Sequence, residues 1–239
     1  MHTLICFALK EEAAPFRKIA AGAASAQADI SILLTGIGRQ SAEKSLREFL
    51  NPCRSRGDET QIKEKLASPH VVSYEPDLVL TCGFAGGLNP DLKLGEVIFE
   101  LSEPQLPSAN SQLQAQLLAS GAKPAKIFCA DRIATTVAEK KKLRAETGAD
   151  AVEMESAAIH TICRECGIPC ATVRVISDTA SEDLPLDFNA LSKPDKNLDY
   201  GKLFLAIAKS PGKIPALMQL QKKTKFASEN LADVLAKLI

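Results

Sequence analysis

Three acidic side chains stand where the sequence predicts that strands meet helices: Glu12, Glu155 and Asp178. Glu12 follows a short apolar run at residues 3–8, and Asp178 follows a β-branched run at residues 170–177. Open α/β sheets bind ligands beside the carboxyl ends of their strands, so carboxylates at these places can hold a polar substrate or transfer protons. An acid in the first turn of a helix can also do no more than offset the helix dipole. Acid–base chemistry is therefore predicted only if the three side chains meet at one site.

The stretch at residues 150–178 carries two of these acids and has the clearest pattern of elements. Residues 153–155 are predicted to open a helix, because apolar residues recur after them at helical spacing. Gly167 is placed to end that helix. Residues 170–177 have the composition of a buried strand, and Asp178 lies just past its last apolar residue. One α/β unit thus offers a carboxylate at a helix start and another at a strand end.

Two glycine turns follow predicted strands further upstream. Residues 30–34 run into Gly36-Ile37-Gly38, and residues 78–82 run into Gly83-Phe84-Ala85-Gly86-Gly87. Glycine lets the backbone approach a ligand closely and turn its N–H donors toward it. Either turn alone is equally well explained as a tight turn, so the prediction that they line a pocket depends on the other motifs.

Together these motifs resemble the nucleoside phosphorylase and nucleosidase superfamily, specifically its methylthioadenosine/S-adenosylhomocysteine nucleosidase branch. The order and spacing of the motifs agree with that branch, and the resemblance covers about residues 1–209. The matching segments are Leu9-Lys10-Glu11-Glu12-Ala13, Gly36-Ile37-Gly38, Gly83 to Leu88, Val152-Glu153-Met154-Glu155-Ser156-Ala157-Ala158 and Val173-Arg174-Val175-Ile176-Ser177-Asp178.

Strand–helix alternation and the resemblance together predict an α/β fold. We expect a single three-layer αβα domain with a mixed central sheet over residues 1–239, with a C-terminal helical extension at about 211–239. The resemblance also implies a homodimer.

The resemblance implies cleavage of the N-glycosidic bond of a purine nucleoside by water, with release of adenine from a 5′-substituted adenosine such as methylthioadenosine or S-adenosylhomocysteine. It implies that Glu12 activates the water, that Asp178 protonates N7 of the purine, and that Glu155 accepts hydrogen bonds from the ribose hydroxyls. No cofactor and no metal ion are expected. The other residues expected to bind substrate are Met154, Glu153, Val152, Gly83, Phe84, Ala85, Ile133, Ser177 and Gly38.

Three departures from the family pattern concern the walls of the expected pocket. Phe84 stands where a small hydroxyl residue is common, and Ile133 stands where an aromatic residue stacks on the base. The segment at residues 101–114 is shorter than the covering loop of the known nucleosidases. These differences predict a pocket that accepts a larger, apolar 5′ substituent.

Two other functions stay open at this stage. A phosphorylase needs fixed cations for its phosphate, and here only Lys10 and Arg39 stand near the corresponding turns. So few cations favour water as the nucleophile. The first alternative is nevertheless a hopanoid-associated nucleoside phosphorylase, a group that is proposed to cleave adenosylhopane. This chain resembles that group in Asp183-Leu184-Pro185-Leu186 and in its lysine-rich C-terminal region. The second alternative is a nucleoside-binding relative without turnover.

Composition excludes several classes of partner. Lys plus Arg and Asp plus Glu both number 29 in the 239 residues, so no global field favours nucleic acid. No apolar run approaches the ~20 residues that a transmembrane helix needs, and residues 1–12 lack the order of a signal peptide. We expect a cytoplasmic protein, with a membrane-surface contact of the amphipathic residues 213–239 as an alternative.

The cysteines suggest one further reading, a metal site. Seven cysteines in a chain without a secretion pattern are expected to be reduced. His160, Cys163, Cys166 and Cys170 have metal-like spacing. They run from a predicted helix into a predicted buried strand, however, so a tetrahedral site is not favoured.

Overall fold

The structure is a computed structural model that describes residues 2–22, 29–50, 76–101, 107–191 and 211–238. Residues 51–70 are polar and charged in sequence, and the spacing of apolar residues from Leu198 to the break at Pro211 predicts a helix; both stretches lie outside these ranges. The strands are β1 (His2–Phe7), β2 (Asp29–Leu34), β3 (Leu78–Gly87), β4 (Val97–Leu101), β5 (Lys123–Pro124), β6 (Ile127–Cys129), β7 (Ala151–Glu153) and β8 (Cys170–Asp178). The helices are α1 (Lys10–Gly22), α2 (Arg39–Leu50), α3 (Pro107–Ser120), α4 (Val137–Thr147), α5 (Ser156–Cys166) and α6 (Ile214–Ala236), the last preceded by a 3₁₀ turn at Pro211–Lys213.

The strands form one mixed sheet in the order β2-β1-β3-β8-β4-β5. β1, β2, β3 and β8 run parallel, whereas β4 is antiparallel to β8. The end of β3 also pairs antiparallel with β7, which in turn pairs with β6. The predicted mixed central sheet is thereby confirmed. Because β1, β3 and β8 are parallel, their carboxyl ends meet at one edge.

Helices cover both faces of this sheet, and β1 shows how the sequence produces that arrangement. Ile5 and Phe7 belong to the apolar cluster shared with α1 and α6, whereas Leu4 and Cys6 belong to the cluster shared with α2 and α5. Successive strand residues point to opposite faces, so a strand that is covered on both sides needs apolar residues at successive positions, as at residues 4–7 of β1. All six residues of β1 are buried accordingly.

The acidic segment at residues 153–155 differs from its prediction. The helix was expected to open at Glu153, but Glu153 ends β7 and α5 begins at Ser156. Val152 pairs with Gly86 of β3 and Cys129 pairs with Glu153, and these ladder bonds hold the segment extended. The predicted helix stop is confirmed, since Gly167 caps α5 in the left-handed conformation with φ 70°.

The C-terminal region is one helix whose two halves differ. In the first half of α6, Ile214 and Met218 are exposed. In the second half, Ala227, Leu231 and Leu235 are buried in the cluster that includes α1. This half is therefore part of the core. Within the described ranges, no helix is both long and apolar enough to cross a membrane.

Candidate active site

A cavity of about 240 Å³ opens at the edge where the carboxyl ends of β1, β3 and β8 meet. Ten of the twelve residues predicted for the site line it: Glu12, Phe84, Ala85, Ile133, Val152, Glu153, Met154, Glu155, Ser177 and Asp178. Of the other two, Gly38 donates to the Glu155 carboxylate, and Gly83 leaves free the space that a side chain would take from Glu12. Residues from six separate parts of the chain are thus brought to one site.

Glu12 is buried in the first turn of α1, and two backbone donors fix its carboxylate. Leu9 N–H donates to Oε2 at 2.9 Å, and Phe84 N–H donates to Oε1 at 2.8 Å. Burial raises the pKa of Glu12, while Arg174 and these donors oppose the rise. A carboxylate with a raised pKa is a stronger base, and this one is held in one orientation.

Gly38 connects the first glycine turn with the second acid. Its N–H donates to Glu155 Oε1 at 2.8 Å, across 117 residues of sequence. Gly38 has a φ of 83°, which L side chains rarely adopt, so glycine is favoured at this turn. The turn therefore holds Glu155 against the cavity wall.

Arg174 is the centre of the electrostatic arrangement, and the sequence reasoning assigned it no role. It forms a buried ion pair with Glu153 and lies 3.4 Å from Glu155 Oε2. Its guanidinium also donates to Thr81 Oγ1 at 3.1 Å and to the Cys82 carbonyl at 3.2 Å. Burial opposes the charge on Arg174, but the surrounding carboxylates raise its pKa. A lone arginine in an otherwise apolar strand was the signal that could have identified it.

Glu153 and Glu155 both lie near Arg174, but their pKa values shift in opposite directions. Burial alone would raise the pKa of Glu153, but Arg174 and donors from Ser156 and the Glu155 backbone hold that pKa below its ordinary value. Burial raises the pKa of Glu155 to about 7, with Arg174 opposing the rise and Glu153 adding to it. Glu153 is therefore the fixed counter-ion of Arg174, and Glu155 can gain or lose a proton near neutral pH.

Asp178 ends β8 and is paired with a lysine that the sequence did not single out. Lys140 Nζ lies 2.5 Å from Asp178 Oδ2, and its side chain is fully buried. The same Nζ donates to the Thr179 carbonyl at 2.7 Å and the Glu182 carbonyl at 2.8 Å, so all three of its hydrogens have acceptors. Ser177 Oγ donates to Asp178 Oδ1 at 2.8 Å. Lys140 begins a run of three lysines, a pattern that indicates a solvated helix face, so the sequence carried no signal for this pair.

The second glycine segment was predicted as a turn, but the structure places it within β3, where it pairs with β8 and β7. Its glycines leave room for these side chains. A Cβ added at Gly83 would lie 2.7 Å from Glu12 Oε1 and 2.7 Å from Arg174 Nη1, and its φ is 149°. A Cβ added at Gly86 would lie 3.3 Å from Asp178 Oδ2. Glycine is therefore required at Gly83 because the buried carboxylate and guanidinium occupy the space of a side chain.

The metal reading gains no support from the residues that the structure describes. Among them, no group of three or more His, Cys, Asp or Glu side chains is arranged to hold a metal ion. His160 instead shares a hydrogen bond of 2.8 Å between its Nε2 and Thr172 Oγ1.

Comparison with known proteins shows where the likeness lies. A sequence profile described as "Phosphorylase superfamily" matches residues 107–199. The chain is 28% identical over 134 residues to the aminodeoxyfutalosine nucleosidase of Campylobacter jejuni, covering 55% of each protein. It is 29% identical over 148 residues to the 5'-methylthioadenosine/S-adenosylhomocysteine nucleosidase of Shewanella oneidensis, covering 50% of this chain and 63% of that protein. The matches therefore span less than two thirds of either relative.

Solved structures match over nearly the whole chain. The futalosine hydrolase of Helicobacter pylori has a TM-score of 0.62 at 17% identity, covering 100% of this chain and 97% of that one. The 5'-methylthioadenosine/S-adenosylhomocysteine nucleosidase of Neisseria meningitidis, in complex with methylthio-immucillin-A, has a TM-score of 0.63 at 18% identity, covering 99% and 97%. At such identities these likenesses show the fold. Together the comparisons confirm the resemblance to the nucleoside phosphorylase and nucleosidase superfamily.

Proposed function

We propose that this chain, similar in sequence and fold to the phosphorylase superfamily, cleaves the N-glycosidic bond of a purine nucleoside with water. The observation that carries the proposal is the arrangement of acids around one cavity. Asp178 is paired with a buried lysine, and Glu12 and Glu155 lie beside Arg174 with raised pKa values. Carboxylates in such different electrostatic settings can take different proton-transfer roles at one pH.

In the proposed reaction, Asp178 takes up a proton from solvent as the nucleoside binds and donates it to N7 of the purine as the bond from C1′ to N9 breaks. The base leaves neutral, and the carboxylate that remains on Asp178 is stabilised by Lys140 Nζ at 2.5 Å. Glu155 in its ionised form accepts from the ribose hydroxyls and stabilises the positive charge that develops on the sugar. Glu12 takes a proton from the water whose oxygen forms the new bond to C1′. Each acid or base role contributes ~10²–10⁴-fold to the rate.

Water rather than phosphate is supported by the state of the nearby cations. Among the described residues lining the cavity, Arg132 is the one Lys or Arg side chain, and it pairs with Glu139. Arg39 donates to the Cys129 carbonyl and lies 3.4 Å from Asp131. A phosphate nucleophile would require these side chains to leave their present acceptors.

The proposed substrates are 5′-substituted adenosines, of which methylthioadenosine and S-adenosylhomocysteine are examples. The relatives carry the names of nucleosidases for methylthioadenosine, S-adenosylhomocysteine and aminodeoxyfutalosine. The Met154 side chain and the aliphatic Ile133 supply apolar contact surface in the cavity. A homodimer and a cytoplasmic location stay predictions.

A panel of purine nucleosides tests the proposal directly. Adenosine, methylthioadenosine, S-adenosylhomocysteine, inosine and guanosine are incubated with the protein, with and without inorganic phosphate, and the free base is separated by chromatography. We expect release that does not depend on phosphate and is fastest for the 5′-substituted adenosines. A phosphate requirement would favour the phosphorylase alternative. Binding measured by calorimetry without any base release would favour a non-catalytic nucleoside-binding protein.

A further inference from the structure

Exposed apolar side chains are concentrated on α6. Among the residues that the structure describes, four large apolar side chains are exposed, and three of them belong to this helix: Ile214, Met218 and Phe226. Their exposed fractions are 43%, 57% and 48%, and the fourth side chain, Leu118, lies on α3. Single exposed apolar side chains are ordinary, but a group of them on one element indicates a contact surface.

The same stretch of α6 is basic, although the chain as a whole has no net charge. Residues 211–228 contain no Asp or Glu and four lysines: Lys213, Lys222, Lys223 and Lys225. Lys223 pairs with Glu182 at 2.7 Å, whereas Lys222 and Lys225 are exposed. An occupant of this surface must therefore match apolar side chains and positive charges together.

Helical geometry places these exposed groups on one side of α6. At about 100° per residue, five exposed side chains fall within about 120° of one another around the axis: Ile214, Met218, Lys222, Lys225 and Phe226. Leu231 and Leu235, which are buried in the core, point to the opposite side. Glu229 and Asp233 follow one and two turns further along, so the basic stretch ends before residue 229. The five side chains are called the outer face of α6 below.

The outer face fits the surface of an anionic bilayer better than a second copy of the chain. Helices that lie in a membrane interface insert apolar side chains among the headgroups, while lysines extend their ammonium groups to the phosphates. Two copies that met through this face would bring lysines against lysines, which weakens an interface. Five side chains along about 18 Å of helix are also few beside the ~20–30 residues on each side of a stable protein interface.

We propose that the outer face of α6 binds the surface of an anionic phospholipid bilayer. Ile214, Met218 and Phe226 enter the headgroup region, and Lys222 and Lys225 contact lipid phosphates. Each lysine near such a surface strengthens binding about fivefold, and added salt weakens the attraction. The inference does not depend on nucleoside cleavage, because none of these five side chains lines the active-site cavity.

Cosedimentation with vesicles tests the charge part of the proposal. The vesicles contain phosphatidylcholine alone or with about 30% phosphatidylglycerol, at low and at high salt. We expect the protein to bind the anionic vesicles at least about tenfold more strongly at low salt, and the difference to shrink at high salt. Lys222→Gln combined with Lys225→Gln should remove about tenfold or more of this binding. Lys141→Gln combined with Lys142→Gln is the matched control, because both lysines are exposed on α4.

Tryptophan fluorescence tests which side chains enter the lipid. The chain contains no tryptophan, so one introduced indole reports its own surroundings. Met218→Trp should shift its emission to shorter wavelength on anionic vesicles and should be quenched by brominated lipid. Leu118→Trp is the matched control, because Leu118 is exposed to a similar extent on α3, and it should show neither effect.

Several results would overturn the proposal. These are no binding to either vesicle, equal binding to neutral and anionic vesicles, and equal quenching in Met218→Trp and Leu118→Trp. Sedimentation velocity without lipid decides the alternative occupant: a dimer that is lost when Ile214→Ser and Met218→Ser are combined would assign the face to a second copy. Adenine release from water-soluble nucleosides should be unchanged in the lysine variants, so failure of the lipid contact leaves the proposed function standing.

Discussion

At the scale of single residues, the guanidinium of Arg174 is the positive charge near three buried carboxylates. Glu153 is its close partner, Glu155 lies 3.4 Å away, and Glu12 also feels its charge. One positive charge cannot neutralise three negative ones in a buried site, so the carboxylates must differ in how readily they ionise. Burial raises the pKa of Glu155 to about 7 and also raises that of Glu12, and the single charge of Arg174 only partly opposes these rises.

The first prediction concerns Glu155 and stability. Its pKa rises from 4.5 in the unfolded chain to about 7 in the folded one, so between these pH values the folded state holds a proton that the unfolded state has lost. The contribution of Glu155 to stability is therefore complete below pH 4.5 and is lost as pH rises toward 7. Glu155→Gln removes this titration. Urea unfolding should show that the variant gains about 1–3 kcal/mol relative to the unmodified protein between pH 5 and pH 8.

Glu48→Gln is a suitable control, because Glu48 is exposed on α2. It should show little pH-dependent difference between the same two pH values. A difference for Glu155→Gln that is flat with pH would mean that Glu155 is ionised throughout this range.

The second prediction concerns Asp178. Asp178→Asn keeps the shape of the side chain but cannot give its proton to the purine, so kcat should fall ~10²–10⁴-fold. The dissociation constant for methylthioadenosine should change only a few-fold, since Asn keeps a polar contact with the purine and two backbone carbonyls still hold the Lys140 ammonium that loses its ion-pair partner. Adenine release and calorimetry measure the two quantities, with the exposed Asp91→Asn as control. A variant with near-normal kcat would remove Asp178 from the chemistry, and loss of binding would indicate a structural role.

At the scale of elements, the sequence predicted those strand ends, turns and helix ends that depend on neighbouring residues in the chain. The carboxyl ends of β1, β3 and β8, the turn at Gly38 and the helix stop at Gly167 follow from apolar runs and glycine positions. The start of α5 was wrong, because the pairing of β7 with β3 and β6 is decided by residues far away in sequence. The burial of Lys140 was missed for the same reason, since its acceptors lie about 40 residues further along the chain. Local periodicity carries no information on such contacts.

The third prediction concerns Gly83, which lies within β3. Gly83→Ala would place a Cβ 2.7 Å from both Glu12 Oε1 and Arg174 Nη1 in a backbone conformation with φ 149°. The added methyl must displace the carboxylate, and we expect kcat/KM for adenine release to fall about a hundredfold or more. Gly22→Ala is the matched control, because an added Cβ there meets nothing within 4 Å. Equal activity of the two variants would show that the position of Glu12 does not matter for turnover.

At the scale of the whole molecule, α6 connects the core to the candidate site. Leu231 is fully buried in the apolar cluster between the sheet, α1 and α6, whereas Met218 is 57% exposed. Leu220 and Thr224, between them along the helix, line the active-site cavity. The buried half of α6 therefore anchors the part that forms a wall of the cavity.

The fourth prediction follows from this division of the helix. Leu231→Ala should lower the free energy of unfolding by about 2–5 kcal/mol, because the cavity it leaves is fully enclosed. Met218→Ala should change it by no more than about 0.5 kcal/mol. Urea unfolding measures both. Similar values for the two variants would mean that the C-terminal helix does not pack on the sheet as described.

The central claim is that water attacks C1′ of a purine nucleoside, with Glu12 as the base. The most direct measurement is a reaction of methylthioadenosine in ¹⁸O-labelled water that also contains phosphate, with mass spectrometry of the released sugar. We expect one ¹⁸O atom in the sugar, no sugar phosphate, and a rate reduced ~10²–10⁴-fold in Glu12→Gln. A sugar 1-phosphate without the label, or an unchanged rate in Glu12→Gln, would contradict it.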